Sequence, residues 1–255
     1  MYAEERQQAM ADLVAQRGRL SVNALAVEYD VTTETVRRDL SALERAGILR
    51  RVHGGAVPAS ALTALEPKLG DRDLAHADEK DRIAKRAVAL LPETGGSVLL
   101  DAGTTTARLA LMFPRDRQLT VVTNAVPIAA RLAGSPTVDL HLLPGRVRRT
   151  THAAVGEATV AALSRLRADV AFVGTNGLSV GHGLSTPDHD EAATKRALVK
   201  AAHRVVVLVD SSKIGQEHMV RFAEVADIDV VVTDGGVEKA DRAALERLEI
   251  EVVVA

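Results

Sequence analysis

From about residue 76 the chain alternates short apolar runs with amphipathic stretches, and this alternation narrows the possible folds most. The runs are Val98–Asp101, Leu119–Thr123, Val138–Leu143, Val170–Val173, Val205–Asp210, Val230–Thr233 and Glu251–Val254. Helical stretches separate most of them: Glu79–Leu91, Thr105–Phe113, Val126–Leu132, Ala158–Leu166, Glu191–Ala202 and Lys239–Leu248. A strand that is apolar throughout needs cover on both faces. Such strands alternating with helices imply a mostly parallel sheet in an α/β architecture.

Residues 1–57 read differently. Met10, Leu13 and Val14 share one helical face, and Leu25, Ala26 and Tyr29 repeat the spacing after Ser21, a candidate N-cap. Thr32 is a second candidate cap, and Val36, Leu40 and Leu43 form the buried stripe of a third helix that Gly47 stops. Ile48–His53 is a short β-like segment closed by Gly54-Gly55. Helix, helix, tight turn, helix and short hairpin outline a winged helix-turn-helix. The chain thus divides into a winged domain (1–57), a linker (58–75) holding Pro58 and Pro67 with room for a short helix, and a larger domain (76–255).

Composition removes several function classes. With 255 residues the chain has room for one or two domains at ~100–200 residues each. Hydrophobic residues at 47% against charged residues at 26% argue against a disordered chain. The absence of cysteine excludes disulfides, thiolate zinc sites, iron–sulfur clusters and cysteine nucleophiles. It also fits a reducing cytoplasm, the expected location. Runs such as Val205–Val209 fall far short of the ~20 residues of a membrane span, and the opening MYAEERQQAM is too polar for a signal peptide. Aromatic residues at 2%, with no tryptophan, argue against stacking platforms for single strands.

On the third helix, Thr33, Glu34, Arg37, Arg38 and Ser41 lie on or near the face opposite the apolar stripe. A helix docked in the major groove needs such short hydroxyls and forked donors. Thr32, Thr33 and Thr35 are placed to reach phosphates or base edges at a helix N-terminus that favours anions. Arg50, Arg51 and His53 add a basic cluster on the wing. The alternative is a solvated face, with Glu34 and Asp39 pairing the arginines. Residues 1–57 hold 8 basic and 8 acidic side chains, so the unit is neutral overall and fails the strong-basicity test for a DNA binder.

The stretch TTETVRRDLSALERAGILRRVHGGA, with GRLSVNALAVEYDV before it and Arg6/Gln7 at the start of the first helix, closely resembles the N-terminal signature of the DeoR/GlpR family of bacterial transcriptional regulators. The resemblance implies binding to a double-stranded DNA operator, with Thr33–Glu44 as recognition helix and Arg37 and Arg38 presented to DNA.

In the larger domain, polar loops follow the strands. Asp101 leads into Ala102-Gly103-Thr104-Thr105-Thr106 and then a helix. A glycine-assisted turn, converging N–H groups and three hydroxyls make a candidate anion site. No Walker A or GxGxxG spacing is present. Thr123-Asn124, Gly174-Thr175-Asn176-Gly177 and Asp210-Ser211-Ser212-Lys213 end other strands. Ligands of open α/β sheets collect at that edge. Lys195 follows the Gly/His-rich loop Ser179–Asp190, and Arg146, Arg148 and Arg149 follow Leu143. Turn chemistry alone accounts for any one such loop. Several together suit a polyhydroxy phosphate.

The blocks EKDRIAKRAVALL, LLDAGTTT, LTVVTNAVPIAARL, VAFVGTNGLSVGHGLSTPD, EAATKRALV and VVLVDSSKIG look like those of the DeoR-family effector domain. That domain is similar in fold to ribose-5-phosphate isomerase, glucosamine-6-phosphate deaminase and coenzyme A transferases. The resemblance implies a phosphorylated-sugar effector held by Asp101, Gly103, Thr104, Thr105, Thr123, Asn124, Gly174, Glu191, Lys195 and Lys213. Thr106 and Arg146 join these on their own placement. Where many members carry Gly-Gly, this chain has Leu143-Pro144-Gly145-Arg146 and two further arginines. That version looks like an actinobacterial subgroup linked to fructose or sugar phosphotransferase operons, which points to fructose 1-phosphate or a relative. The same arginines also suit a solvated or dimer-contact loop.

The expected function is a transcriptional repressor relieved by that sugar phosphate, acting as a homo-oligomer (dimer or tetramer) because two heads need spaced half-sites. The alternatives are a sugar-phosphate isomerase-like enzyme with a DNA-binding appendage, or an activator. No acid/base pair and no Gly-x-Ser-x-Gly elbow is assignable by motif, so no catalytic residue is expected. His182, Asp188, His189 and Asp190 lack a ligand pair at helical spacing, so neither metal nor cofactor is expected.

Overall fold

The computed structural model describes residues 3–18, 20–52, 55–58 and 69–255, the side chains of 50–52 excepted. The winged unit begins with α1 (Ala3–Arg17), α2 (Val22–Glu28) and α3 (Thr33–Arg45). Ser21 caps α2 by accepting from Ala24 N, and Thr32 caps α3 by accepting from Thr35 N. Gly47, at φ +71°, turns the chain out of α3 in a conformation that costs other residues energy. Met10, Val14, Leu25, Val36 and Leu40 are fully buried between the helices. The sheet beside them is antiparallel: β1 (Leu20–Ser21) pairs with β3 (Gly55–Pro58), which pairs with β2 (Leu49–Val52).

In the larger unit α4 (Leu69–Leu74) and α5 (Ala77–Ala87) precede a wholly parallel seven-stranded sheet. Its strands are β4 (Ser97–Leu100), β5 (Leu119–Thr123), β6 (Val138–Leu142), β9 (Ala168–Gly174), β12 (Ala202–Leu208), β14 (Val230–Thr233) and β15 (Glu251–Val254). Their order is β15-β14-β12-β9-β4-β5-β6. Alternate residues supply two cores. Val98, Leu100, Val121 and Phe172 face α5, α6 (Thr104–Leu111) and α7 (Val126–Leu132). Leu99, Val122, Ala171 and Val173 face α8 (Glu157–Leu163), α9 (His189–Lys200) and α10 (Lys239–Glu246). Each large apolar side chain so buried contributes about 1.5–3 kcal/mol before entropy is counted.

The direction in which successive strands are added reverses between β4 and β9, although all run parallel. From β4 the sheet grows through β5 to β6, and from β9 it grows the other way through β12 and β14 to β15. The carboxyl ends of β4 and β9 therefore flank a topological switch point, where open α/β sheets leave a crevice.

One expectation is corrected here. Ser179–Asp190 is no simple loop: β10 (Gly177–Ser179) and β11 (Gly183–Thr186) form a hairpin that pairs with β13 (Val220–Ala223). Gly183 permits this, because at φ +80° a side chain there would lie 2.2 Å from Ala223 O. A second small ladder, β7 (Arg146–Val147) with β8 (Ala154–Val155), occupies the arginine-bearing segment.

Candidate functional site

The outward face of α3 carries the expected polar set. Arg37 and Arg38 are exposed, and Arg37 lies 3.5 Å from Glu34. Asp39 pairs with neither arginine. It turns inward, accepting from Arg6 Nε at 2.7 Å and Gln7 Nε2 at 2.9 Å, and thus fixes α1 against α3. The Thr32 hydroxyl is spent on the cap, 3.0 Å from that of Thr35, and the Ser41 hydroxyl donates to Arg37 O at 2.7 Å. The backbone of Arg50 and Arg51 lies in β2; their side chains, and all of His53, lie outside the described residues.

At the switch point Asp101, Gly174 and Lys195 form one buried group. Asp101 Oδ2 accepts from Gly174 N at 3.0 Å and from Lys195 Nζ, which also donates to Gly174 O at 3.0 Å. Burial pushes the Asp101 carboxyl above the usual carboxylate range; Lys195 opposes that push and Glu191 adds to it. The Lys195 ammonium also stands 5.6 Å over the Phe222 ring, a favourable cation–π distance. Asp188 caps α9 by accepting from Glu191 N, which sets Glu191 and Lys195 one turn apart. Arg148 bridges Glu191 at 2.8 Å and Asp188 at 3.1 Å.

The loop after β12 holds a second cluster. Asp210 is buried and lies 2.9 Å from Lys213 Nζ. Burial alone would raise its pKa, but Lys213, the Ser212 hydroxyl and Lys80 outweigh burial and hold it below the usual range. Asp234 fixes this turn by accepting from Ser211 N and Oγ at 2.7 and 2.8 Å.

Residues 6–61 match the model of the DeoR-like helix-turn-helix domain, and residues 75–235 match that of the DeoR C terminal sensor domain. The chain belongs to the DeoR family. It is 37% identical over 253 residues to the HTH-type transcriptional regulator GlpR of Haloferax volcanii, covering 99% of this chain and 98% of that one. It is 36% identical over 234 residues to the uncharacterized HTH-type transcriptional regulator FruR of Bacillus subtilis, and 31% identical over 234 residues to the glycerol-3-phosphate regulon repressor of Escherichia coli K12, with 92% of each chain covered in both cases. Among solved structures it is similar to ribose 5-phosphate isomerase A of Methanocaldococcus jannaschii, at TM-score 0.41, 18% identity and 55% coverage of each chain. It is also similar to the sorbitol operon regulator SorC of Klebsiella pneumoniae, at TM-score 0.42 and 14% identity, covering 94% of this chain and 97% of that one. The curated relatives are named as regulators and repressors, none as an enzyme, and this DeoR-family chain is a DNA-binding transcriptional regulator.

Within this DeoR-family protein the predicted residues separate by task. Asp101, Gly174, Glu191 and Lys195 come together at the switch point, and Lys213 stands with Asp210. Thr104 and Thr105 begin α6, and their hydroxyls make no hydrogen bond to another described residue. Three predicted polar groups also bond the backbone. Thr123 Oγ1 donates to Leu100 O at 2.6 Å, and Thr106 Oγ1 donates to Asp101 O at 2.7 Å. The Asn124 amide accepts from Ala102 N at 3.0 Å and donates to Ala154 O at 3.1 Å, tying β4 to β8. Gly103 makes no left-handed turn; at φ −176° its backbone is extended, and a side chain there would press on the Thr106 hydroxyl at 3.0 Å. Arg146 points away, exposed and 2.6 Å from exposed Asp190.

Arg148, placed before only in a loop, is the arginine beside Glu191. Lys80 and Asp234 were missed, because a lysine in an amphipathic helix and an acid after a strand read as solvated. Among the described residues no group of three His, Asp or Glu side chains is placed to hold a metal, and no helix is long and apolar enough to cross a membrane.

Proposed function

We propose that this regulator represses a sugar uptake or catabolism operon and leaves its operator when a phosphorylated sugar, fructose 1-phosphate in the first instance, occupies the switch-point crevice. The observation that carries this is the buried Asp101–Gly174–Lys195 group at the carboxyl ends of β4 and β9. An acid that accepts and an ammonium that donates suit sugar hydroxyls, while the N-terminus of α6 with Thr104, Thr105 and Lys213 suits a phosphate. Glu191 and Arg148 extend the polar wall; Thr106, Thr123 and Asn124 shape it through backbone. The names of the relatives support the substrate class: a glycerol-3-phosphate regulon repressor, and a lactose phosphotransferase system repressor of Staphylococcus epidermidis that is 34% identical.

In this reading residues 1–57 grip DNA through Thr32, Thr33, Glu34, Thr35, Arg37, Arg38 and Ser41 with the wing, and residues 76–255 bind the effector and assemble the homo-oligomer that presents two heads. The effector must favour the off-DNA state, and a coupling of ~1–3 kcal/mol changes operator affinity about 5–150-fold. A thermal-shift screen against sugar phosphates tests the proposal. A ligand at 100 times its dissociation constant would stabilise the fold by ~2.7 kcal/mol. The same ligand must also release promoter DNA; retention of DNA in the presence of every phosphorylated sugar tried would refute the reading.

A further inference from the structure

Helix α4 has six residues and none of them is buried. A helix that short does not persist in water on its own. Two cations hold it. Arg108 of α6 reaches the Asp73 carboxylate and donates to Asp73 O at 2.9 Å. The same guanidinium lies 2.8 Å from Asp81 of α5 and donates to Thr104 O at 3.1 Å. Lys80 of α5 is 2% exposed, and its ammonium donates to Arg72 O and, at 2.5 Å, to Ala75 O. Between the two helices His76 sits at φ 52°, ψ 42°, a left-handed conformation uncommon outside glycine.

Both cations also act on the segments assigned to the effector. Arg108 holds the first residue of α6. Lys80 lies close enough to Lys213 and Asp210 for their charges to act on it; burial and then Lys213 push its pKa down to about 8. Asp210 is the acid that acts on Lys80, against the like charges of Lys213, Arg108 and Arg72, and the hydrogen-bond partners of the ammonium are the neutral carbonyls of Arg72 and Ala75. Leu69, Gly70 and Asp73 of α4 also wall a cleft of about 290 Å³, with Gly103 and Thr104 opposite. Thr151, 3% exposed, lines the same cleft, and its hydroxyl has no hydrogen-bond partner among the described residues.

We infer that α4 is a strap whose last carbonyls compete with the effector's phosphate for the Lys80 ammonium. The inference rests on the effector reading above and adds how occupancy is passed on. Carbonyls at the end of a helix carry only partial negative charge, whereas a phosphate offers full charge and bonds about twice as strong. A phosphate seated between the start of α6 and Lys213 draws Lys80 to itself, and α4 keeps only its Arg108 tie. Because α4 is the first described element after the wing strand β3, its release is the change nearest in sequence to the DNA-binding unit.

Hydrogen exchange on the full chain tests this, with inorganic phosphate and fructose 1-phosphate as probes. Saturating probe should slow the amides of residues 104–107 and speed those of residues 70–75 about tenfold. Asp73→Asn, which leaves the effector groups intact, should speed the α4 amides without any probe. Lys80→Met, if folded by circular dichroism, should abolish the response of α4 to the probe. Slowing at 104–107 with α4 unchanged or slowed overturns the strap and leaves the effector reading standing. No slowing at 104–107 with any phosphorylated sugar overturns both. An Asp73→Asn protein whose α4 exchanges as in the parent overturns the strap alone.

Discussion

Arg6 and Asp39, 33 positions apart, meet Nε to Oδ2 at 2.7 Å inside the winged unit, with both side chains almost wholly buried. Arg6 begins on α1 and Asp39 on the concealed side of α3, so the pair sets the angle at which α3 is presented. Removing one partner strands a buried charge. Arg6→Ala or Asp39→Ala should each destabilise this unit by ~3–5 kcal/mol, while the double change Arg6→Met/Asp39→Leu should cost less than either. Urea unfolding followed by circular dichroism measures the difference.

Arg37 and Arg38 lie on the opposite side of the same helix, exposed to solvent. Their loss should leave the fold alone and weaken the grip on DNA. Arg37→Ala or Arg38→Ala should cost ~1–3 kcal/mol of operator affinity if the side chain reads a base, or lower the salt slope by about 1 if it holds a phosphate. Fructose 1-phosphate binding, measured by thermal shift, should be unchanged; losing both properties together would mean the arginines serve the fold instead.

The elements of this fold were largely legible because they rest on local rules. Ser21 and Thr32 announce the caps they make, and the runs at Leu119–Thr123 and Val230–Thr233 became strands with the expected bounds. Side-chain direction was not legible. Asp39 reads as a surface partner of the exposed arginines until α1 is folded against it, and no periodicity shows that the Asn124 amide also bonds Ala154 O of β8. Lys80 is hidden in an amphipathic pattern, since its burial comes from α4, whose placement no periodicity reveals. Arg146 and Arg148, two positions apart, would share a face of one extended segment; β7 ends at Val147, and the turn that begins there sends Arg148 to Glu191 while Arg146 meets Asp190.

That last distinction is testable. Arg148 is nearly buried against Glu191 and Asp188, whereas Arg146 meets Asp190 in solvent. Arg148→Ala leaves Glu191 buried beside Asp101 without its counter-charge, so it should destabilise the protein by ~3–5 kcal/mol and blunt the response to fructose 1-phosphate. Arg146→Ala should change stability by less than ~1 kcal/mol, as exposed ion pairs do. Equal responses of the two variants to the effector in a DNA-release assay would show that the crevice is not lined as described.

Lys80 supplies a pH signature. Its folded pKa is pushed down to about 8 from an ordinary value of 10.5, chiefly by burial. Below pH 8 the ammonium is charged in both states, and the folded state bears the cost of burying it. Between about pH 8 and 10.5 the folded protein has released that proton while the unfolded chain still holds it, so stability from this group rises with pH across the window. Lys80→Met removes the effect. The difference in urea midpoint between parent and variant should therefore shift in favour of the parent from pH 7.5 to pH 9.5. The sign separates two accounts of Lys80. An ammonium that gained more from Arg72 O and Ala75 O than it lost on burial would titrate above 10.5 when folded, and the parent's advantage would then stay flat across this window. A phosphate seated beside Lys80 should restore the proton, so saturating fructose 1-phosphate should flatten the slope.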